Sequence, residues 1–258
     1  MYRLDNKFAN SGYFSVTVVG CGGTGGFAAE GLCRLLPKEV NLMLVDHDRV
    51  EERNLNRQCF TREELGEFKS EALAKRLSRE FGRPVAYSTL PVSMTEVKLP
   101  GLVIGCVDNG LARADIAEAT KSGLCPSYGH SSWWVDAGNG ENYGQVLIGN
   151  IDFRSSPLPD GDIYHALPLP TIQRPDLLRQ VPRARDCALI AEDQGPTINL
   201  SMAAIVVEVV RRIIAGTCPW VQLYLDMEAG TLIPVLATPE TVKYLSKRKG
   251  GSHGRTKR

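Results

Sequence analysis

The stretch Val16-Thr17-Val18-Val19-Gly20-Cys21-Gly22-Gly23-Thr24-Gly25-Gly26 decides the fold. A short β-branched run ends in a cluster of glycines and passes into an amphipathic stretch over residues 27–36. Gly20, Gly22 and Gly25 follow the G-x-G-x-x-G spacing, with Gly23 between them. A strand must turn sharply into a helix here, and its backbone must come close enough for N–H groups and the helix N-terminus to hold phosphate. A side chain at Gly22 would block that approach. Alone, the motif specifies nucleotide phosphate without specifying which nucleotide or what reaction. A plain strand–turn–helix has no need of so many glycines.

Downstream, residues 41–46 read as a second buried strand ending in Asp46, about 20 residues past the last loop glycine, where an acid is expected on a ribose hydroxyl pair. Thr61 and Glu64 have the spacing of a capping box. Residues 70–81 place Leu73, Leu77 and Phe81 on one helical face, with Lys69 at the entrance. Residues 85–92 and 102–107 are further strand candidates, and the second runs into Asp108-Asn109 and a helix over 111–121. Strands alternating with amphipathic helices predict an α/β, Rossmann-like, doubly wound and mainly parallel sheet. Its ligand crevice lies beyond the carboxyl ends of the strands, where Gly20, Asp46 and Asp108 all fall.

From Ser132 the pattern changes. Residues 133–136 and 145–148, separated by glycines, predict an antiparallel pair, with Trp133 and Trp134 in the core and on the sheet face. Residues 151–195 carry six prolines and little periodicity, and read as a long crossover loop, a kind of segment that is usually functional or disordered. Pro196 opens a helix with Ala203, Val206, Val207, Val210, Ile213 and Ile214 on one face. Residues 220–226 and 231–236 read as a closing antiparallel hairpin. The expected organisation is one domain over residues 1–240 and a basic, disordered tail over 241–258.

Net charge is +1, which argues against a dedicated nucleic-acid binder, but Lys243, Lys247, Arg248, Lys249, Arg255, Lys257 and Arg258 concentrate positive charge in the tail and leave the body mildly acidic. Seven widely spaced cysteines and no apolar leader predict a reducing, cytoplasmic setting. No C-x-x-C pair exists, so a structural zinc is not expected, and no apolar run reaches membrane-spanning length. Cys21, Cys33 and Cys106 fall in strand or helix contexts and are expected in the core.

Taken in order, Gly20-Cys21-Gly22-Gly23-Thr24-Gly25, Asp46-His47-Asp48-Arg49-Val50, Asn54-Leu55-Asn56-Arg57-Gln58, Gly66-Glu67-Phe68-Lys69 and Cys106-Val107-Asp108-Asn109 resemble the ThiF/MoeB/HesA family, the adenylating domain shared with ubiquitin-activating enzymes. In its compact size and short N-terminus the chain is most similar to the ThiF-like group of PRTRC plasmid cassettes. The resemblance implies Mg-ATP as cosubstrate and, as partner, a small ubiquitin-like protein whose C-terminal glycine carboxylate attacks the α-phosphate. It implies that Asp46 binds the ribose, that the glycine loop approaches the phosphates, and that Asn54, Arg57 and Lys69 contact them with Gln58 in support. Asp108 would coordinate Mg²⁺, although a helix N-cap is a rival role for it. A homodimer is implied, with Arg3 as the available N-terminal arginine for a partner's ATP. Cys187, between Arg183 and Arg185 upstream and the final helix, is a candidate nucleophile for a thioester step, since nearby cations favour thiolate; relatives that only adenylate lack such a cysteine.

Three other readings share part of these features. An NAD(P)-dependent oxidoreductase would share the glycine loop and Asp46 but has no use for Arg57, Lys69 and Asp108 around a triphosphate. A non-catalytic scaffold would keep the fold without the charged set. An adenylating enzyme acting on a modified tRNA base would keep the ATP chemistry and change the acceptor.

Overall fold

A computed structural model describes residues 1–10, 14–94, 101–122, 132–150, 158–180 and 195–247. Its elements in chain order are β1 (Arg3–Leu4), β2 (Ser15–Val19), α1 (Gly23–Leu35), β3 (Asn41–Val45), α2 (Lys69–Phe81), β4 (Val85–Ser88), β5 (Leu102–Gly105), α3 (Gly110–Ser122), β6 (Trp133–Asn139) and β7 (Tyr143–Gly149). They continue with β8 (Ile163–Tyr164), α4 (Pro170–Gln173), α5 (Pro196–Ile214), β9 (Trp220–Asp226), β10 (Thr231–Leu236) and α6 (Pro239–Ser246).

The main sheet runs β10-β9-β7-β6-β5-β2-β3-β4. From β4 to β6 every pairing is parallel. From β6 to β10 every pairing is antiparallel. The expected doubly wound architecture with an antiparallel C-terminal extension is therefore the observed one. Strand order reverses between β2 and β5, and this switch point sets the ligand crevice at their carboxyl ends.

Alternation along the strands explains why both faces are covered. Val16, Val18, Leu42, Leu44, Leu102, Ile104, Trp133 and Val135 join the core formed with α1, α2 and α5. Val19, Val45, Val103 and Trp134 point the other way, against Ile116 and Ala117 of α3 and Leu169 before α4. A parallel sheet buried on both faces needs near-continuous apolar strands, which is how β2, β3 and β5 read. Both tryptophans are buried, as the sequence suggested.

Several boundaries depart from expectation. α1 begins at Gly23 rather than at Phe27, so the helix starts inside the glycine cluster. β4 ends at Ser88 and a 3-10 turn follows at Val92–Met94, where a strand to residue 92 was expected. β6 and β7 are longer than expected and pair antiparallel from Trp134↔Gly149 to Asn139↔Gly144.

The expected crossover loop over 151–195 is not uniformly irregular: its described part holds β8, α4 and a 3-10 turn at Pro175–Arg179. β8 pairs parallel with β1 in a separate two-stranded sheet, where Arg3 lies 3.5 Å from Asp162. Structure also continues past residue 240, where the domain was expected to end. α6 carries Thr238 as N-cap and buries Val242 and Leu245 in the main core. The basic composition of the tail had masked the i, i+3 spacing of those two residues.

Leu245 is 3 % exposed, so Leu245→Ala is expected to lower the unfolding free energy by about 2–4 kcal/mol. Urea denaturation measures it, and a change within experimental error would show that α6 is not integral to the core.

Candidate active site

The glycine loop is built to fit backbone against backbone. Gly20 follows β2 at φ +88°, and a Cβ on it would lie 2.6 Å from the Cys106 carbonyl oxygen at the end of β5. A Cβ on Gly25 would lie 1.8 Å from the Gly20 oxygen, one on Gly23 would meet the Asn199 side chain at 2.3 Å, and one on Gly26 would meet Cys59 Sγ at 2.5 Å. These four glycines are required by the protein's own packing. Gly22 differs: the nearest atom to its Cβ position is Gln58 Nε2 at 3.7 Å. Among the described residues nothing forbids a side chain there, and the position lies at the N-terminus of α1, whose first-turn N–H groups have no intrahelical acceptors.

Asp46, at the end of β3, holds this loop in place. One carboxylate oxygen accepts from Cys21 N–H at 2.6 Å and the other from Asp48 N–H at 2.8 Å. Burial pushes the Asp46 carboxyl above its ordinary value, and the Lys69 ammonium opposes that shift. Lys69 is buried at the start of α2 with its Nζ 3.2 Å from Asp48 Oδ2, and its N–H donates to the Asp48 carbonyl. Ser70 Oγ bonds the carbonyls of Asp46 and Ser88, tying α2 to the ends of β3 and β4.

The segment between β3 and α2 is a chain of short turns. Asn54 is buried, and its Oδ1 accepts from Glu51 N–H at 2.9 Å, closing a capping box around the 3-10 turn Glu52–Asn54. Asn54, expected on phosphate, thus has a structural use for its amide oxygen. The Thr61–Glu64 capping box is present: Thr61 N–H donates to Glu64 at 2.8 Å, and Arg76 of α2 holds the same carboxylate at 2.9 Å. Gln58 is buried beside the loop, and its Oε1 has no hydrogen-bond partner among the described residues. An orphaned amide oxygen next to the open Gly22 position is the kind of group a bound ligand or water satisfies.

Asp108 stands two residues beyond Cys106, exposed, at the head of α3. The helix cap comes from Asn109, whose Oδ1 accepts from Ala112 N–H at 2.9 Å, so Asp108 is not spent on capping. Asp108 Oδ1 accepts only from the Asn109 amide among the bonds described. Asp46 bonds the loop at Cys21 N–H and accepts from the N–H of Asp48, whose side chain Lys69 reaches, while Asn199 ties the Arg57 carbonyl to Thr24 of the loop and Gln58 lies beside Gly22. Asp108 follows two residues after Cys106, whose carbonyl lies against Gly20, and among the bonds described its carboxylate meets none of Asp46, Arg57, Gln58 and Lys69. Cys187 lies outside the described residues. Among the described cysteines burial holds the thiols protonated: Cys21 is pushed well up, Cys33 to about 11, Cys106 to about 12.

Sequence reasoning missed two polar groups. Asn199, one turn before Ala203 on the apolar stripe of α5, is buried and bonds the Arg57 carbonyl, Asn139 and Thr24. Arg113 of α3 and Asp136 of β6 form a buried ion pair, Nε to the two carboxylate oxygens at 3.1 and 3.3 Å. Arg113 Nη1 also donates to Gln180 Oε1 at 2.6 Å, and Gly110 N–H to the Gln180 carbonyl at 2.8 Å. In both cases the available signal was a polar residue at a core position of an otherwise apolar pattern. Burial raises the Asp136 carboxyl, and Arg113 counteracts it.

Residues 7–216 match the sequence model of the ThiF family. The chain is 32% identical over 155 residues to ubiquitin-like modifier-activating enzyme 5 of Dictyostelium discoideum, a match covering 53% of this chain and 38% of the relative. With the same enzyme of Drosophila willistoni the identity is 33% over 158 residues, covering 54% and 36%. This chain spans less than two fifths of the length of these relatives. Its fold is similar to that of PaaA, with a TM-score of 0.62 at 18% identity over 90% of this chain and 76% of that one. It is also similar to Escherichia coli MccB solved with ATP, with a TM-score of 0.59 at 13% identity over 89% and 66%.

Removing one partner of a buried pair strands the other charge, so Arg113→Leu is expected to lower stability by about 3–5 kcal/mol near neutral pH. Without Arg113 the Asp136 pKa rises further, so the folded variant holds that proton to higher pH and loses stability as pH climbs through the raised value. The deficit should therefore shrink between about pH 7 and about pH 4.5, read by urea unfolding at both. A deficit that does not depend on pH would exclude a stranded carboxylate as its cause.

Proposed function

The chain belongs to the ThiF family, and from that premise we propose that it is a Mg-ATP-dependent adenylyltransferase acting on the C-terminal glycine carboxylate of a small ubiquitin-like protein. The observation that carries this reading is the glycine loop itself. Among the described residues four of its glycines answer to protein packing and Gly22 answers to none, beside a buried Gln58 oxygen that has no partner there.

In this mechanism a carboxylate oxygen of the acceptor attacks the α-phosphorus of ATP, the bond to the bridging oxygen of the β-phosphate breaks, and pyrophosphate leaves with that electron pair. The chain's contribution is placement and charge. The Asp46 carboxylate, fixed by two backbone N–H groups, retains lone pairs for the ribose hydroxyls. The first turn of α1 faces the phosphates through the gap at Gly22. Lys69 turns from Asp48 toward the nucleotide as phosphate competes for it, and Arg57 supplies a second cation. Asp108, a hard oxygen donor left open because Asn109 caps α3, fits Mg²⁺, which would neutralise phosphate charge there.

On this reading the enzyme acts as a homodimer in a reducing cytoplasm, with neither nucleic acid nor membrane as partner. The support is family membership and, for the reducing setting and the absence of a nucleic-acid partner, the cysteine usage and near-neutral net charge of the sequence.

Mg·ATP at about 100 times its Kd should stabilise the protein by about 2.7 kcal/mol, while NAD at the same concentration should leave melting unchanged. ATP–pyrophosphate exchange, run with a β-grasp protein ending in glycine, should vanish in Asp108→Ala and fall roughly 10²–10³-fold in Arg57→Ala or Lys69→Ala. Stabilisation by NAD and not by ATP would replace the reading with the oxidoreductase one; full exchange in Asp108→Ala would refute the magnesium assignment.

A thioester step extends the proposal, with the Cys187 thiolate attacking the acyl carbonyl and AMP leaving. It requires an adduct with the acceptor that survives denaturation, disappears with thiol reductant and is missing in Cys187→Ala. If Cys187→Ala transfers the acceptor normally, the step does not exist.

A further inference from the structure

Asn199 is 1% exposed, on the face of α5 that otherwise buries Ile198, Met202, Ala203 and Val206. A polar amide in such a place is stabilising only if its groups are bonded, and this one joins three separate pieces of the site. Its Nδ2 donates to the Arg57 carbonyl at 3.0 Å. Its Oδ1 accepts from Asn139 Nδ2, at the end of β6, at 3.0 Å and from Thr24 Oγ1, in the first turn of α1, at 3.4 Å. Thr24 Oγ1 also reaches Asn139 Oδ1 at 3.3 Å.

The amide orientation is fixed by its neighbours. Reversing it would set Nδ2 against the Asn139 Nδ2 donor, a pair with no acceptor, and Oδ1 against the Arg57 carbonyl, a pair with no proton. Gly23 is part of the same device, because a Cβ there would lie 2.3 Å from Asn199 Nδ2. The far side of the Arg57 residue is held too, its N–H donating to the Asn54 carbonyl at 3.1 Å. Arg57 therefore has its backbone pinned at both ends, once within its own turn and once to a helix 142 residues away.

We propose that Asn199 is a positioning residue for nucleotide binding: by holding the Arg57 carbonyl against the first turn of α1, it sets the place from which the Arg57 guanidinium meets phosphate. This rests on the reading that Arg57 binds ATP phosphate. On this proposal Asn199 works through its bond to the Arg57 carbonyl and not by contact with substrate, which gives the idea a distinctive energetic signature. Residues that work as one unit are not additive, so once Arg57 is removed, disturbing Asn199 should matter little to ATP.

The test is a double-mutant cycle on the full chain, measuring the Kd of Mg·ATP calorimetrically in the parent, Arg57→Ala, Asn199→Asp and the double variant, with melting curves for each. Asn199→Asp keeps the acceptor for Asn139 and Thr24 but turns an oxygen toward the Arg57 carbonyl. It should weaken Mg·ATP about tenfold, and the double variant should bind within about threefold of Arg57→Ala alone. Additive losses, or no loss in Asn199→Asp while Arg57→Ala is impaired, would overturn the proposal. No loss in Arg57→Ala would instead sink the phosphate role of Arg57 and leave the adenylation reading to Lys69 and Asp108. If Asn199→Asp does not melt cooperatively, Asn199→Ala completes the cycle; if neither folds, Asn199 is a folding residue and the proposal fails.

Discussion

Two parallel strands lie side by side at the centre of this sheet, and the chain leaves them toward opposite faces. The close approach this forces is the constraint from which the rest follows. At the end of β2 the Gly20 backbone lies where a Cβ would be 2.6 Å from the Cys106 carbonyl, and Gly25 sits on Gly20 more closely still. Only backbone fits. Because the turn is that tight, α1 begins at Gly23 and its N-terminus opens into the crevice between β2 and β5. The position of a positive helix end at a switch point is a consequence of strand order and packing, before any ligand is considered.

Around that turn, groups with an architectural job keep polar capacity to spare. Asp46 clamps the loop through the Cys21 N–H while keeping acceptor capacity at the end of β3. Its burial would favour the neutral acid, and Lys69 is the nearby charge that opposes this. Asn109 caps α3, so the neighbouring Asp108 carboxylate, which accepts from the Asn109 amide, is not used for that cap. Farther away, the buried Arg113–Asp136 pair fixes α3 against β6 and reaches Gln180. Such a pair is weak evidence for net stability, because desolvating two charges offsets their attraction. Its clearer consequence is that α3 has one place to sit.

The parts of the fold legible in the sequence were those with strong period or punctuation. β2, β3 and β5 read as strands because they are apolar throughout, and α2 and α5 as helices because their apolar residues recur on one face. The Thr61–Glu64 box was readable because capping is local chemistry, completed within four residues. The start of α1 was not readable, since glycines argue against a helix until packing demands them. α6 was hidden by the lysines around it. The region after residue 157 looked irregular because β8 and α4 are too short to show a period; β8 exists by pairing with β1, some 160 residues away.

By itself, the sequence determined the sheet's class and handed over candidate residues at strand ends, Gly20, Asp46 and Asp108, with Arg57 and Lys69 in the segment between. The strand ends are legible in local pattern, because hydrophobic period and turn chemistry act over a few residues, whereas Arg57 and Lys69 stand out only through the family resemblance. Only the tertiary structure decided which glycine is open to a ligand, which of Asp108 and Asn109 caps the helix, and that Asn199 closes on Arg57. Those outcomes depend on contacts between segments far apart in the chain, where distance in ångströms, not spacing in sequence, determines which donor meets which acceptor.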